Sequence, residues 1–135
     1  MFNIKKAWQV FWAPRTKQKF VYIAHPIRGD IPNNLRAVLE ARRTVIEVGY
    51  VPIVPYLAPL EILRDYVEKE RTLGMTINFA HLRSGFVDEI WLFGNRISAG
   101  MWAEIEVARE MGIRIRPMSK ETVIAYGEKY GFSLW

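Results

Sequence analysis

The chain has 135 residues, 50% of them hydrophobic, which is enough for one domain with a real core and argues against disorder. It has no cysteine and two distant histidines, His25 and His81; this excludes a disulfide framework, a thiolate metal site and a cysteine nucleophile, and gives a structural metal little basis. The formal charge of +5 is uneven: Lys5, Lys6, Arg15, Lys17, Lys19 and Arg28 stand in the first 29 residues without an acid, while the remainder holds 13 basic against 14 acidic residues.

Residues 1–19 read as a basic arm with Trp8, Phe11 and Trp12 set among its charges. That composition fits contact with nucleic acid, a membrane surface or a partner subunit. No nucleic-acid-binding motif accompanies it, so docking on its own domain or on a symmetry mate is the simpler expectation. The N-terminus lacks the continuous apolar run of a signal peptide, and no segment reaches the ~18 apolar residues of a membrane span. A soluble, cytoplasmic protein is expected.

Residues 20–135 then alternate between strand and helix patterns. Phe20 to Ala24 reads as a buried strand, and the loop His25 to Pro32 leads to a helix with Leu35, Val38, Leu39, Val45 and Ile46 at helical period, capped by Asp30 and ended by Gly49. Tyr50 to Val54 is a second strand whose Pro52 suggests a sheet edge or a bulge. A charged helix is expected from about Pro59 to Leu73, with Gly74 separating it from a shorter one around Thr76 to Leu82. Phe86 to Phe93 reads as the third strand, Gly100 to Met111 as a helix, Ile113 to Ile115 as a short strand, and Glu121 to Tyr130 as a closing helix capped by Ser119. This alternation predicts an α/β fold, a small three-layer sandwich around a flavodoxin-like or Rossmann-like parallel sheet. Ligands of such sheets sit beyond the carboxyl ends of the strands, so the loops after Ala24, Val54 and Phe93 form the candidate site.

Two of these loops carry suggestive chemistry. His25-Pro26-Ile27-Arg28-Gly29-Asp30 offers a guanidinium and backbone N–H groups suited to phosphate oxygens. Ser98-Ala99-Gly100-Met101-Trp102-Ala103-Glu104 opens a helix with a small-residue turn, a capping hydroxyl, and a carboxylate one turn in. Each loop also has a plain structural reading, as a polar turn and a capped helix start. Residues two apart on a helix diverge by roughly 200°, so only one of Glu104 and Glu106 can face the site. Glu104 borders the apolar stripe Met101, Ile105, Ala108; Glu106 points outward toward Arg109. Glu104 is therefore the candidate nucleophile. Pro55 and Tyr56 follow the second strand and can shape a ligand pocket with Trp91 or Trp102 nearby, although aromatics in such a sheet are commonly core. Arg96 and Asn95 can add to phosphate charge, or lie in solvent. Asp88 precedes the third strand and reads as structural, and His81 and Arg83 as surface residues.

The segment Val21-Tyr22-Ile23-Ala24-His25-Pro26-Ile27-Arg28-Gly29, together with Ser98-x-Gly100-x-x-x-Glu104-Ile105-x-x-Ala108, resembles the nucleoside 2-deoxyribosyltransferase superfamily, and most of all its 2′-deoxynucleoside 5′-monophosphate N-glycosidase (N-hydrolase) branch. The resemblance spans about 95 residues and leaves out the arm. It implies a homodimer acting on a nucleotide or nucleoside, without metal or organic cofactor. It also implies that Ile27, Arg28, Gly29, Ser98 and Gly100 hold a 5′-phosphate while Glu104 attacks C1′. Asn78 is the counterpart of a family aspartate, and can orient a sugar hydroxyl but not deliver a carboxylic proton. Glu106 and His25-Pro26 also depart from the family pattern. The expected function is N-glycosidic bond cleavage in a (deoxy)nucleoside 5′-monophosphate. The alternative is a catalytically inactive nucleotide-binding sensor or regulatory domain, and an adaptor working through the arm ranks third.

Overall fold

The computed structural model describes residues 3–6, 18–57, 63–64 and 67–132. Most of the basic arm, with Trp8, Phe11 and Trp12, lies outside these residues, as does much of the segment expected to start a helix at Pro59.

Four parallel strands form one sheet in the order β2-β1-β3-β4: β1 Phe20–Ala24, β2 Val51–Ile53, β3 Glu89–Leu92 and β4 Arg114–Pro117. The helices are α1 Ile31–Glu47, α2 Glu68–Arg83, α3 Ala99–Glu110 and α4 Lys120–Tyr130. Side chains alternate across the sheet, as strand geometry demands. Val21, Ile23 and Trp91 pack with Ala41 and Val45 of α1 on one face. Tyr22, Ala24, Ile90 and Leu92 pack with Leu82 of α2, Met101, Ile105 and Ala108 of α3, and Tyr126 of α4 on the other. The result is the expected three-layer α/β sandwich. Pro52 sits on an edge strand, where its missing N–H costs no ladder bond.

Local chemistry explains most boundaries. Asp30, Ser98 and Ser119 each accept a hydrogen bond from an N–H of the first turn, of Asn33 (3.3 Å), Met101 (3.2 Å) and Thr122 (3.2 Å). Three expectations are corrected. Gly74 does not divide two helices; α2 runs through it, because a glycine in a helix interior costs only about 1 kcal/mol, which packing overrides. The third strand starts at Glu89 rather than Phe86, since Phe86 stands exposed with its ring edge-on to Phe20. Arg109 lies over the Tyr130 ring at 3.9 Å and donates to the Tyr126 hydroxyl (3.0 Å) rather than reaching Glu106.

Glu89 is buried at the amino end of β3, away from the loops that follow the strands. It accepts from Lys19 Nζ (2.8 Å) and Trp91 Nε1 (3.0 Å), with Arg116 at 3.6 Å. Burial pushes its carboxyl up, but these donors and cations outweigh that and hold it below the ordinary range. Asp88 acts beside it: its carboxylate accepts from the Phe20 N–H (2.8 Å) and its own N–H donates to the Phe20 carbonyl (2.9 Å), tying β3 to β1.

Candidate active site

A cavity of about 270 Å³ opens at the carboxyl ends of the strands. Its wall includes seven of the eight residues singled out from the sequence: Ile27, Arg28, Tyr56, Asn78, Ser98, Gly100 and Glu104. Gly29 is the exception; it is exposed in the turn before α1, at φ 99°, and does not line the wall. Trp91 and Trp102 do not line it either. Trp91 belongs to the α1 side of the sheet, and Trp102 packs against Tyr130.

The two chemistry-bearing loops meet because Gly94 lets them. It takes φ 96°, and an added Cβ would stand 2.6 Å from Pro26 Cδ, so only a hydrogen fits where the β3 loop passes the β1 loop. Arg96 then donates to the Arg28 carbonyl (3.4 Å), while Asn34 of α1 donates to the carbonyls of Ile27 (2.9 Å) and Arg28 (3.3 Å). Gly94→Ala is expected to cost about 1–3 kcal/mol of stability through strain and overlap, measured by urea unfolding; an unchanged midpoint would contradict this account of the crossing.

Ala99 and Gly100 of the first α3 turn also border the cavity. N–H groups at a helix start lack intrahelical partners and carry the positive end of its dipole. Arg28 of the β1 loop and Arg96 of the β3 loop line the same cavity, as does Arg71 of α2, and this positive charge together with the helix start favours an anion.

Glu104 supplies the opposing character. It is 5% exposed and accepts a hydrogen bond from the Tyr22 hydroxyl. Burial raises its carboxyl to about 7, against the opposing pull of the Tyr22 hydrogen bond. Near neutral pH the group is thus divided between acid and carboxylate. Tyr56 donates to the Ile23 carbonyl (2.8 Å). Burial and the Glu104 charge raise the phenols of both Tyr22 and Tyr56, so both stay protonated and act as donors.

Asn78 is also 5% exposed; its Nδ2 donates to Met75 Sδ (3.8 Å), and its Oδ1 is buried without a partner among the described residues. An unsatisfied buried acceptor on a cavity wall suits a ligand that brings a donor. His25 shares the wall. Burial lowers its pKa, against the raising effect of its bond to the Pro26 carbonyl (2.6 Å through Nδ1), so the ring is neutral.

Leu63, Glu70, Arg71, Gly74 and Met75 also line the cavity and Tyr22 backs Glu104, and none of them is assigned to a site by the sequence. Tyr22 read as a core strand residue, and the α2 residues fell on either side of an expected helix break. Among the described residues no cluster of three or more His, Asp or Glu is placed to hold a metal, and no helix is long and apolar enough to cross a membrane.

Residues 19–118 match the family described as a domain of unknown function, DUF7768. The chain belongs to the DUF7768 family. A solved structure titled 2-desoxiribosyltransferase from Leishmania mexicana is similar to it, with a TM-score of 0.51 and 19% identity over 87% of this chain and 74% of the other. At that identity the likeness shows a shared fold, so this DUF7768 member has the deoxyribosyltransferase-like α/β architecture. No curated protein matches the chain.

Proposed function

We propose that this DUF7768 protein cleaves the N-glycosidic bond of a (deoxy)nucleoside 5′-monophosphate, with Glu104 as nucleophile, as in the 5′-monophosphate N-hydrolase branch of the deoxyribosyltransferase superfamily. One observation carries the reading: a buried carboxyl on α3 and a cationic phosphate-type clamp on the loops after β1 and β3 border a single cavity. Arg28, the Ser98 hydroxyl and the N–H groups opening α3 bind the phosphate, and Ile27 and Gly29 shape the loop that carries Arg28. Asn78 Oδ1 accepts from a sugar hydroxyl.

The chemistry follows from charge development. As the C1′–N bond breaks, its electron pair goes to the base nitrogen, which takes a proton from water, and the sugar gains oxocarbenium character. Ionised Glu104 stabilises that charge and closes on C1′ as a glycosyl ester. The hydroxide left by that water then opens the ester at C1′, leaving a sugar phosphate and restoring the Glu104 carboxylate; a second base attacking C1′ in its place, and losing its N–H proton to that hydroxide, makes the reaction a transfer. Tyr22 holds one carboxylate oxygen, leaving the other for C1′. A homodimer and a cytoplasmic site of action accompany this reading, with residues 20–135 as the catalytic domain and 1–19 as a separate basic arm.

Free base should appear when the protein is incubated with a panel of deoxynucleoside 5′-monophosphates and the products are separated by chromatography. Arg28→Ala should weaken nucleotide binding by about 10- to 100-fold, the value of a charge-assisted hydrogen bond, and have little effect on the matching nucleosides. Nucleotide binding without product would instead favour the sensor reading, for which the carboxamide at Asn78, unable to deliver a proton, is the supporting observation.

A further inference from the structure

Gly74 occupies the interior of α2, where glycine destabilises a helix relative to alanine. Among the described residues nothing in the fold requires it. Gly74 is not in the left-handed region, and among the described residues the atom nearest to an added Cβ is Leu63 Cδ1, at 4.0 Å, an ordinary contact. Gly127 of α4 is a useful contrast, since the Phe132 ring lies over it and leaves no room for a side chain. Gly74 instead borders the cavity.

Its neighbours on that helix face point to what fills the space. Glu70 and Asn78 lie one turn to either side and also line the wall. The Glu70 carboxylate is taken up by Arg64 (2.8 Å), whereas Asn78 Oδ1 is buried and, among the described residues, unpartnered. Between Arg71 and Met75, which also line the cavity, the α2 wall therefore lacks a side chain at position 74, with an unsatisfied acceptor one turn further along.

We infer that Gly74 is the specificity-determining residue of the site: the strip it leaves open on α2 seats the nucleobase, a planar heteroaromatic ring lying against the helix. The inference rests on the nucleotide reading above. There the phosphate falls to the loops after β1 and β3 and the sugar to Asn78, which leaves the wall of Leu63 and Gly74 for the base. A side chain at position 74 fits the unliganded protein but occupies the place of the ring.

Titration calorimetry on the full chain tests this with three probes: deoxyadenosine 5′-monophosphate, deoxyuridine 5′-monophosphate and deoxyribose 5-phosphate. Gly74→Ala and Gly74→Leu should both fold, with melting temperatures no lower than that of the wild type. Nucleotide affinity should fall about tenfold or more for alanine and further for leucine, with the purine affected most, while deoxyribose 5-phosphate affinity stays within about twofold. Unchanged nucleotide affinity in the leucine variant, or equal losses for nucleotide and sugar phosphate, would overturn the base seat alone. Wild-type protein that binds neither class of probe would overturn the nucleotide reading itself.

Discussion

Glu104→Gln should abolish base release and, at pH 8, make the protein more stable. The carboxyl titrates at about 7 in the folded chain against an ordinary 4.5, and burial is the main cause. A raised carboxyl favours folding fully below the unfolded value, and that advantage is lost as pH rises through the folded one. The gap corresponds to about 3 kcal/mol, present near pH 4 and gone by pH 8. Glutamine keeps an oxygen for the Tyr22 hydroxyl and never ionises, so the variant should match the wild type near pH 4 and exceed it by about 2–3 kcal/mol at pH 8. Glu89, whose carboxyl is held low, gives the opposite slope in both proteins and cancels in the comparison. Urea unfolding at the two pH values reads the effect. A glutamine variant no more stable than the wild type at pH 8 would mean that Glu104 is not a costly buried charge. Turnover by that variant near the wild-type rate would remove Glu104 as nucleophile. Stability given up at a residue whose chemistry needs the charged form is the pattern expected of a functional site.

The sequence revealed the parts of this molecule whose signals are local. Phe20–Ala24 was legible as a strand because an uninterrupted apolar run bounded by polar residues has few other uses, and Asp30, Ser98 and Ser119 marked helix starts through capping chemistry. Glu104 was separable from Glu106 because helical geometry alone sends them to different sides. What escaped depends on contacts distant in the chain. Tyr22 looked like any strand aromatic; its hydroxyl matters because α3 brings a carboxyl 82 positions later onto it. Glu89 carries no sequence signal of its own inside the expected strand; its role depends on Lys19 and Arg116, which converge on it from two other segments. Gly74 reads as a helix breaker because glycine's helix penalty is visible in sequence, whereas the cavity it borders is not. Its misreading and its proposed role have the same origin, the missing side chain.

If ionised Glu104 attacks C1′, kcat/KM should climb about tenfold per pH unit below pH 7 and level off above pH 8, because that ratio follows ionisation in the free enzyme. Tyr22→Phe sharpens the test. The Tyr22 hydroxyl donates to the carboxylate and so favours its charged form, pulling against the burial that raises it. Phenylalanine keeps the ring in the core and removes that donor, so the midpoint should move to higher pH. The loss of rate should reach about tenfold or more at pH 6, the value of a hydrogen bond to a charged group, and shrink toward pH 9, where both enzymes are ionised. The nucleotide's own phosphate titrates identically in the two proteins, so the displacement between the profiles belongs to the enzyme. A uniform loss at every pH would assign Tyr22 to positioning the carboxylate rather than setting its charge. A profile flat from pH 5 to 9 in the wild type would mean that no buried carboxyl has to ionise for the reaction, and the nucleophile would have to be sought elsewhere on the cavity wall.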